Sequence, residues 1–577
     1  MSAVAHLDER TQARYKEQCE LLPISDDDLI LQRVYSWESR QGDQVFLTQP
    51  MGNGVVREYT WSQMLDESRR MAAYLKSLDY PAGSQIAILS KNCAQFMMTD
   101  LAIWMAGHTS VALYPTLSAD TVTYILEHSE SKLLFVGKLD TWDEMKPGVP
   151  DGLPCVSYPL SPPNDFPTWD DIVKEHEPIE GNVVREADDR AILVYTSGST
   201  GQPKGVEHTF GNLVRVHKGF EDQLKMSPKD RLISYLPLAH VFERAVIEIG
   251  AFYNGSQVFF AESLETFVAD LQRARPTIFH SVPRLWLKFQ MGVFNKLPPK
   301  KLALLTKLPI LGKKVKKKVL TGLGLDQARL AVSGSAPIPP SLIEWYNGLG
   351  LELLEGYGMS ENFCYSHLTL PNQVLPGFVG TPDKGVQAKL SESGEILVKS
   401  PCNMVGYFKQ PEMTAECFTD DHYLKTGDRG FIDKTGALKI TGRVKELFKT
   451  SKGKYVAPVP VENLINASNL VEQSCVAGSG QVACHALILL NEALRGKLDD
   501  KEMRAEVEPQ LKELLAHVNA NVEPFERIKF FTVVKDNWAI ENGYLTPTMK
   551  IKRGVIEDAY ASELDGWYDG GESLYWQ

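Results

Sequence analysis

From residue 59 onward the chain switches repeatedly between two hydrophobic periods. TWSQMLDESRRMAAYLKSL (60–78), AQFMMTDLAIWMAG (94–107) and SADTVTYILEHS (118–129) carry apolar residues at helical spacing. Between and after them stand QIAILS (85–90), SVALYP (110–115) and KLLFVG (132–137), short apolar runs of the kind buried strands need. Regular alternation of this kind predicts an α/β fold with a parallel, doubly wound sheet. Thr60 and Ser118 each precede an amphipathic run and are expected to be helix N-caps. The proline-rich stretch 147–178 reads as a connector, and a second α/β unit is expected from about 190 to 345. GEILVKS (394–400) and GALKITG (436–442) lie in a glycine-rich region that predicts a small β subdomain. Past Arg443 the composition turns charged, and residues 502–518 have helical spacing, so a smaller α+β C-terminal domain is expected. The expected domains are 1–443 and 446–577, joined near Lys445.

Composition narrows the classes. A chain of 577 residues exceeds one core, and 43% hydrophobic with 23% charged residues is a globular balance. A net charge of -12 argues against general nucleic-acid binding, because neutralising phosphates needs the opposite sign. The most apolar stretch, 96–115, contains Asp100 and His108 and splits into helix-like and strand-like halves, so no transmembrane helix is expected. The first twenty residues mix charges and have no apolar core, so no signal peptide is expected either. Eight cysteines without a CxxC pair or regular spacing form neither a zinc-knuckle nor a disulfide pattern, which fits a reducing cytoplasm.

The candidate chemistry begins at YTSGSTGQPKGV (195–206), after the apolar run AILVY (191–195). A hydroxyl-rich loop leaving a buried parallel strand lies where open α/β sheets bind ligands. Gly198 and Gly201 let backbone amides approach phosphate oxygens, Thr196, Ser197, Ser199 and Thr200 offer hydroxyls, and Lys204 adds a mobile charge. A Walker P-loop is excluded, since it needs GxxxxGK[ST] leading into a helix and here Pro203 precedes Lys204. Four more segments complete the set: VSGSAP (332–337), EGYGMSE (355–361), YLKTGDRGFIDKTGALKITGR (423–443) and LTPTMKIKR (545–553).

In this order and spacing the five segments resemble those of the adenylate-forming (AMP-binding) superfamily, over residues from about 45 to 560. The resemblance implies that Gly334, Ser335, Ala336, Glu355, Gly356, Tyr357, Gly358 and Met359 hold the adenine of ATP. It implies Ser360 on the α-phosphate, where many relatives have threonine, and Glu361 on Mg²⁺. Asp428 would accept the ribose hydroxyls, and Arg443 would reach ribose or phosphate. Lys445 matches the hinge about which the C-terminal domain swings in relatives. Lys550 matches the lysine that bridges the acid's carboxylate and the α-phosphate, a reaction between two anions whose main need is positive charge. The loop KTSKGKYVAP (449–458), with Gly453 at its tip, would line the path of the coenzyme A thiol in the second step.

LPLAHVFER (236–244), PTIFHSVPRLWLKF (276–289) and GRVKELFKTSKGKYVAP (442–458) resemble long-chain fatty acyl-CoA synthetases in particular. That implies a fatty acid substrate, with His240 as a lid or pocket-wall residue near the acyl carboxylate; a satisfied, partly buried histidine is the alternative. Transfer of the acyl group to a carrier protein or another nucleophile stays open. A catalytically silent lipid-binding relative is disfavoured, because Lys204, Glu361, Asp428, Arg443 and Lys550 are all present. One feature stands outside the resemblance. Residues 271–325 hold thirteen Lys or Arg and no Asp or Glu, six of the lysines being Lys307, Lys313, Lys314, Lys316, Lys317 and Lys318. The readings are a solvated lysine face or a peripheral contact with an anionic membrane.

Overall fold

A computed structural model describes the whole chain except residues 1, 5, 6, 197–201, 541, 547 and 548. Its first sheet has six strands in the spatial order Cys155–Ser157, Leu133–Val136, Gln85–Leu89, Thr109–Leu113, Arg190–Thr196 and Lys204–Thr209, all parallel but the last. Strands Gln85–Leu89, Thr109–Leu113 and Leu133–Val136 are buried throughout, which is why each reads as an unbroken apolar run. Thr60 caps helix Trp61–Ser77 as expected: its hydroxyl accepts from the Gln63 amide at 3.2 Å, and the Gln63 side chain accepts from the Thr60 amide at 3.0 Å. Ser118 caps helix Ala119–Ser129, its hydroxyl accepting from the Thr121 amide at 3.4 Å. Helix Ala94–Met105 touches strands of both the first and second sheets and is buried along its entire length, so it shows no polar face.

The second α/β unit departs from expectation. Arg190–Thr196 joins the first sheet instead of opening a new one. The hairpin Val45–Gly52 and Val55–Thr60 forms the second sheet with Gln257–Phe260 and Arg231–Ser234, pairing Leu47 with Val258. The two units are therefore interleaved, not consecutive at residue 190. The 147–178 connector also holds more than a link: Cys155–Ser157 is an edge strand and Trp169–Glu175 a short helix. Three residues are too few to display a strand period.

A third sheet orders Ile278–Ser281, Leu330–Ser333, Leu353–Tyr357, His367–Leu368 and Thr381–Pro382. The glycine-rich region forms an antiparallel sheet from Gln387–Leu390 to Leu438–Arg443. Beyond it, Val471–Ala477, Cys484–Leu490, Ile528–Val533 and Leu574–Trp576 make a sheet covered by helices Pro458–Asn466 and Lys501–Ala520, around a core that includes Val476, Leu511 and Phe531. Together these make a large N-terminal and a small C-terminal part of mixed α/β sheets, the α/β fold class expected. No helix among the described residues is long and apolar enough to cross a membrane.

Candidate functional site

The carboxyl ends of the third sheet and the edge of the antiparallel sheet meet at Asp428. Asp428 and Arg443 are cross-strand partners, and Arg443 Nε donates to Asp428 Oδ1 at 2.9 Å. The buried Tyr357 hydroxyl, at the end of strand Leu353–Tyr357, donates to Asp428 Oδ2 at 2.8 Å. Burial raises the Tyr357 pKa well above its ordinary value, so the phenol stays a donor. A carboxylate offers about four acceptor positions, which leaves two on Asp428 for a ligand's vicinal hydroxyls.

Beside it lies the turn after strand Leu330–Ser333. Ser335 adopts a left-handed φ of 68°, and a Cβ at Gly334 would press on the Phe242 ring at 3.0 Å. Ser333 and Glu355 are register partners on adjacent strands, both buried. Ser333 Oγ and Glu355 Oε2 have no hydrogen-bond partner among the described residues. Burial pushes the Glu355 carboxyl up to about 8, against a hydrogen bond from the Ile338 amide. Two orphaned polar atoms at a sheet's carboxyl edge suit a polar ligand.

Gly358 begins the next turn and fits only as glycine, since an added Cβ would stand 2.5 Å from the Cys364 backbone. The Met359 amide donates to Asn362 Oδ1 at 2.9 Å, and Ser360–Asn362 makes a single 3₁₀ turn. This turn is pinned from two sides. His208 Nε2 donates to the Ser360 carbonyl at 2.7 Å, and the Met404 amide donates to the Glu361 carbonyl at 2.7 Å. Burial lowers the His208 pKa to about 4, so the ring is neutral with its proton on Nε2. Tyr407 Oη donates to Glu361 Oε1 at 2.7 Å, and the Lys204 ammonium sits 5.0 Å from the centre of the same ring. One tyrosine thus serves both expected phosphate-side groups. Thr196 and Lys204 are opposite each other on paired strands, while Ser197, Gly198, Ser199, Thr200 and Gly201 lie outside the described residues.

Lys550 reaches the same place from the C-terminal region. Leu545 and Ile551 bridge, the Thr546 amide donates to the Lys550 carbonyl at 2.8 Å, and the Lys550 amide donates to Thr546 Oγ1 at 3.1 Å. The Lys550 side chain is exposed and lies near Arg443, Asp428 and Glu446, close enough for their charges to act on it. Desolvation, then repulsion from Arg443, lowers its pKa, while Asp428 and Glu446 pull the other way. His240 faces it. Burial, then the charges of Lys550 and His280, hold the His240 pKa at about 3, and its Nδ1 accepts from the Phe242 amide at 3.2 Å.

The rest of the LPLAHVFER polar pattern is structural. Glu243 is buried and accepts from Ser234 and Tyr235 at 2.8 Å and from Asn92 at 3.1 Å, with His280 at 2.7 Å on its other oxygen. Arg244 is fully buried between Asp100 and Glu248. Lys445 lies in the 3₁₀ turn Val444–Glu446, where the chain leaves the antiparallel sheet. Gly453, at φ 78°, tips a separate hairpin whose hydrogen bonds run within it and to Gly480 and Gln481. Glu472 of the C-terminal region binds both Arg284 of the third-sheet region and Arg495, the latter at 2.6 Å.

Residues 35–408 match the family model described as AMP-binding enzyme, and residues 446–572 match that of the AMP-binding enzyme C-terminal domain. The chain is 30% identical to the long-chain-fatty-acid–CoA ligase FadD15 of Mycobacterium tuberculosis, over 95% of this chain and 98% of that one. It is 29% identical to long-chain-fatty-acid–CoA ligase 1 of Homo sapiens, over 84% and 78% respectively. Among solved structures it resembles the adenylation domain of a carboxylic acid reductase from Segniliparus rugosus in complex with AMP, at TM-score 0.77, 20% identity and coverage of 97% and 99%. It also resembles an anthranilate CoA ligase in complex with anthranoyl-AMP, at TM-score 0.75, 20% identity and coverage of 94% and 100%.

Proposed function

The chain belongs to the AMP-binding enzyme family and is an adenylate-forming ligase; from that premise we propose that it joins a long-chain fatty acid to coenzyme A. The observation that carries this reading is that Lys550 lies near enough to Arg443, Asp428 and His240 for their charges to act on one another, although the three segments are more than a hundred residues apart. In the first step a carboxylate oxygen of the acid bonds to the α-phosphorus of ATP, and the bond to the bridging oxygen breaks to release pyrophosphate. Lys550 neutralises the approach of the two anions, and Asp428 with Tyr357 and Arg443 fixes the ribose. Lys204 holds the departing pyrophosphate.

Glu361 is fit to hold a magnesium ion. Its carboxylate is anchored at one oxygen by Tyr407, which leaves the other to join the nucleotide's own phosphates in holding the ion. When bound, magnesium supplies charge neutralisation to the polyphosphate. In the second step the thiol of coenzyme A attacks the acyl carbonyl, loses its proton, and AMP leaves with the electrons of the acyl–oxygen bond. The neutral His240, unable to hold a proton near pH 7, shapes the acyl end of the site without competing for charge.

The long-chain acid is supported by the FadD15-type relatives, whose names state that substrate. Acid-dependent pyrophosphate release, measured across chain lengths with and without coenzyme A, tests the reading. Release that peaks with long-chain acids and yields a thioester is expected. No release with any acid defeats it, and release without thioester favours an acyl-carrier acceptor, as in the didomain of the carboxylic acid reductase.

A further inference from the structure

Between strands Ile278–Ser281 and Leu330–Ser333 the chain leaves the third sheet and builds three helices, Pro283–Lys296, Pro299–Thr306 and Leu311–Gly322. The last two pack together as a hairpin, and the turn between them, residues 307–310, is its tip. The tip is apolar and bare: Ile310 is 78% exposed, Leu304 65%, Leu311 45% and Leu308 42%. No other stretch of eight described residues exposes as many large apolar side chains. Single exposed leucines need no explanation, but four within eight residues, two on the turn and one at each helix end beside it, do.

The shoulders of this tip are basic. Lys300, Lys301, Lys307, Lys313, Lys314, Lys317 and Lys318 are exposed, and no Asp or Glu occurs from residue 271 to 325. None of these lysines forms an ion pair among the described residues. The first acid beyond them, Asp326, is taken by Arg275 at 2.6 Å. Between helices Leu311–Gly322 and Phe267–Ala274 runs an open groove of about 680 Å³, lined by Lys314, Lys317, Lys318 and Thr321 on one side and by Gln272 and the Arg275–Asp326 ion pair on the other, so its unpaired charges are the three lysines.

We propose that this hairpin is a membrane wedge, whose tip residues Leu304, Leu308, Ile310 and Leu311 enter the outer part of a bilayer while the flanking lysines and the groove take anionic lipid headgroups. An aliphatic tip ringed by unpaired lysines is complementary to such a surface in both of its layers, apolar below and negative above. A nucleic acid would satisfy the lysines and leave the aliphatic tip in water. The wedge connects to the site through helix Pro283–Lys296, which starts directly after the strand whose Ser281 carbonyl accepts from the Gly334 amide at 3.2 Å. Fourteen residues of helix span about 21 Å, so a docked wedge holds the site within a short reach of the bilayer. An acid dissolved in that bilayer then has a local route to the site.

The proposal is tested without substrate, so its outcome is independent of the ligase reading. The full-length protein is sedimented with phosphatidylcholine vesicles with and without phosphatidylglycerol, at low and high salt. Two variants are compared: Lys313→Glu with Lys314→Glu and Lys317→Glu, and Ile310→Ser with Leu308→Ser. All five side chains are exposed, so unchanged melting temperatures serve as the folding control. Binding is expected only with phosphatidylglycerol, falling with salt. Each lysine near an anionic surface is worth about fivefold, so the triple reversal is expected to lower binding by a hundredfold or more. The tip variant is expected to bind at least tenfold more weakly. Equal binding to neutral vesicles, no binding to either vesicle, or unchanged binding by the lysine variant overturns the proposal. So does loss with the lysine variant but full retention with the tip variant together with competition by soluble polyglutamate, which would identify an acidic protein surface as the partner.

Discussion

Removing the Tyr407 hydroxyl is a sharp perturbation, because that atom donates to Glu361 and has only the Cys417 thiol as a further polar side-chain neighbour among the described residues. Its 2.7 Å hydrogen bond fixes Glu361, the carboxylate proposed to hold magnesium, and Tyr407→Phe deletes it while keeping the ring beneath Lys204. A hydrogen bond to a charged group is worth about 1.5–3 kcal/mol, or roughly ten- to hundredfold at 1.4 kcal/mol per decade. Glu361 is only half-buried, so water replaces part of the lost donor and the lower end, about tenfold in kcat/KM for ATP, is expected. The assay is acid-dependent pyrophosphate release over a magnesium titration, with the loss concentrated at low magnesium. In a Glu361→Gln background the second substitution is expected to add little, since the two residues act through one contact. An unchanged magnesium response in Tyr407→Phe, or full additivity with Glu361→Gln, would refute the assignment of Tyr407 as the residue that positions Glu361.

Gly358→Ala is expected to lower the melting temperature by the equivalent of about 1–3 kcal/mol and to abolish ATP turnover, because its Cβ would overlap the Cys364 backbone at 2.5 Å; unaltered stability and activity would show that the turn has room. Acidification is expected to destabilise the protein. Burial holds His208 and His217 at about 4, against about 6.5 for an unfolded histidine, so protons bind the unfolded chain first. Stability is therefore complete above the unfolded value and is lost as the pH falls toward 4, each ring contributing up to about 1.4 kcal/mol per pH unit. Glu355, raised to about 8, works in the opposite direction, gaining stability as the pH falls from 8 toward its unfolded value. Melting scans of wild type and His217→Gln between about pH 7 and pH 5 check this, the variant being expected to lose less; identical curves would contradict it.

Local features of the fold could be read from the sequence because their causes are local. Thr60 and Gln63 make a capping box within four residues, and Asp428 and Arg443 stand in one contiguous segment. The pairing of Leu47 with Val258 could not be read, since a parallel register across two hundred residues leaves no periodic mark. Tyr407 is equally silent: an aromatic in GYFKQP comes under Lys204 only through an isolated β-bridge to Val206. The opposite case is Glu243 and Arg244, whose charges look chemical in the sequence but are consumed by Ser234, His280, Asp100 and Glu248 in the interior. A buried charge must be paired, and the sequence does not say by what.

The central claim is that Lys550 serves the first chemical step from a C-terminal turn that lies near Arg443 and Asp428 of the N-terminal region. Lys550→Ala separates the two steps. Acid-dependent exchange between pyrophosphate and ATP reports the first, and conversion of supplied acyl adenylate to the coenzyme A thioester reports the second. The account predicts that exchange falls by at least a hundredfold while thioester formation from the supplied adenylate is largely kept. Equal loss of both, or full retention of exchange, would contradict it.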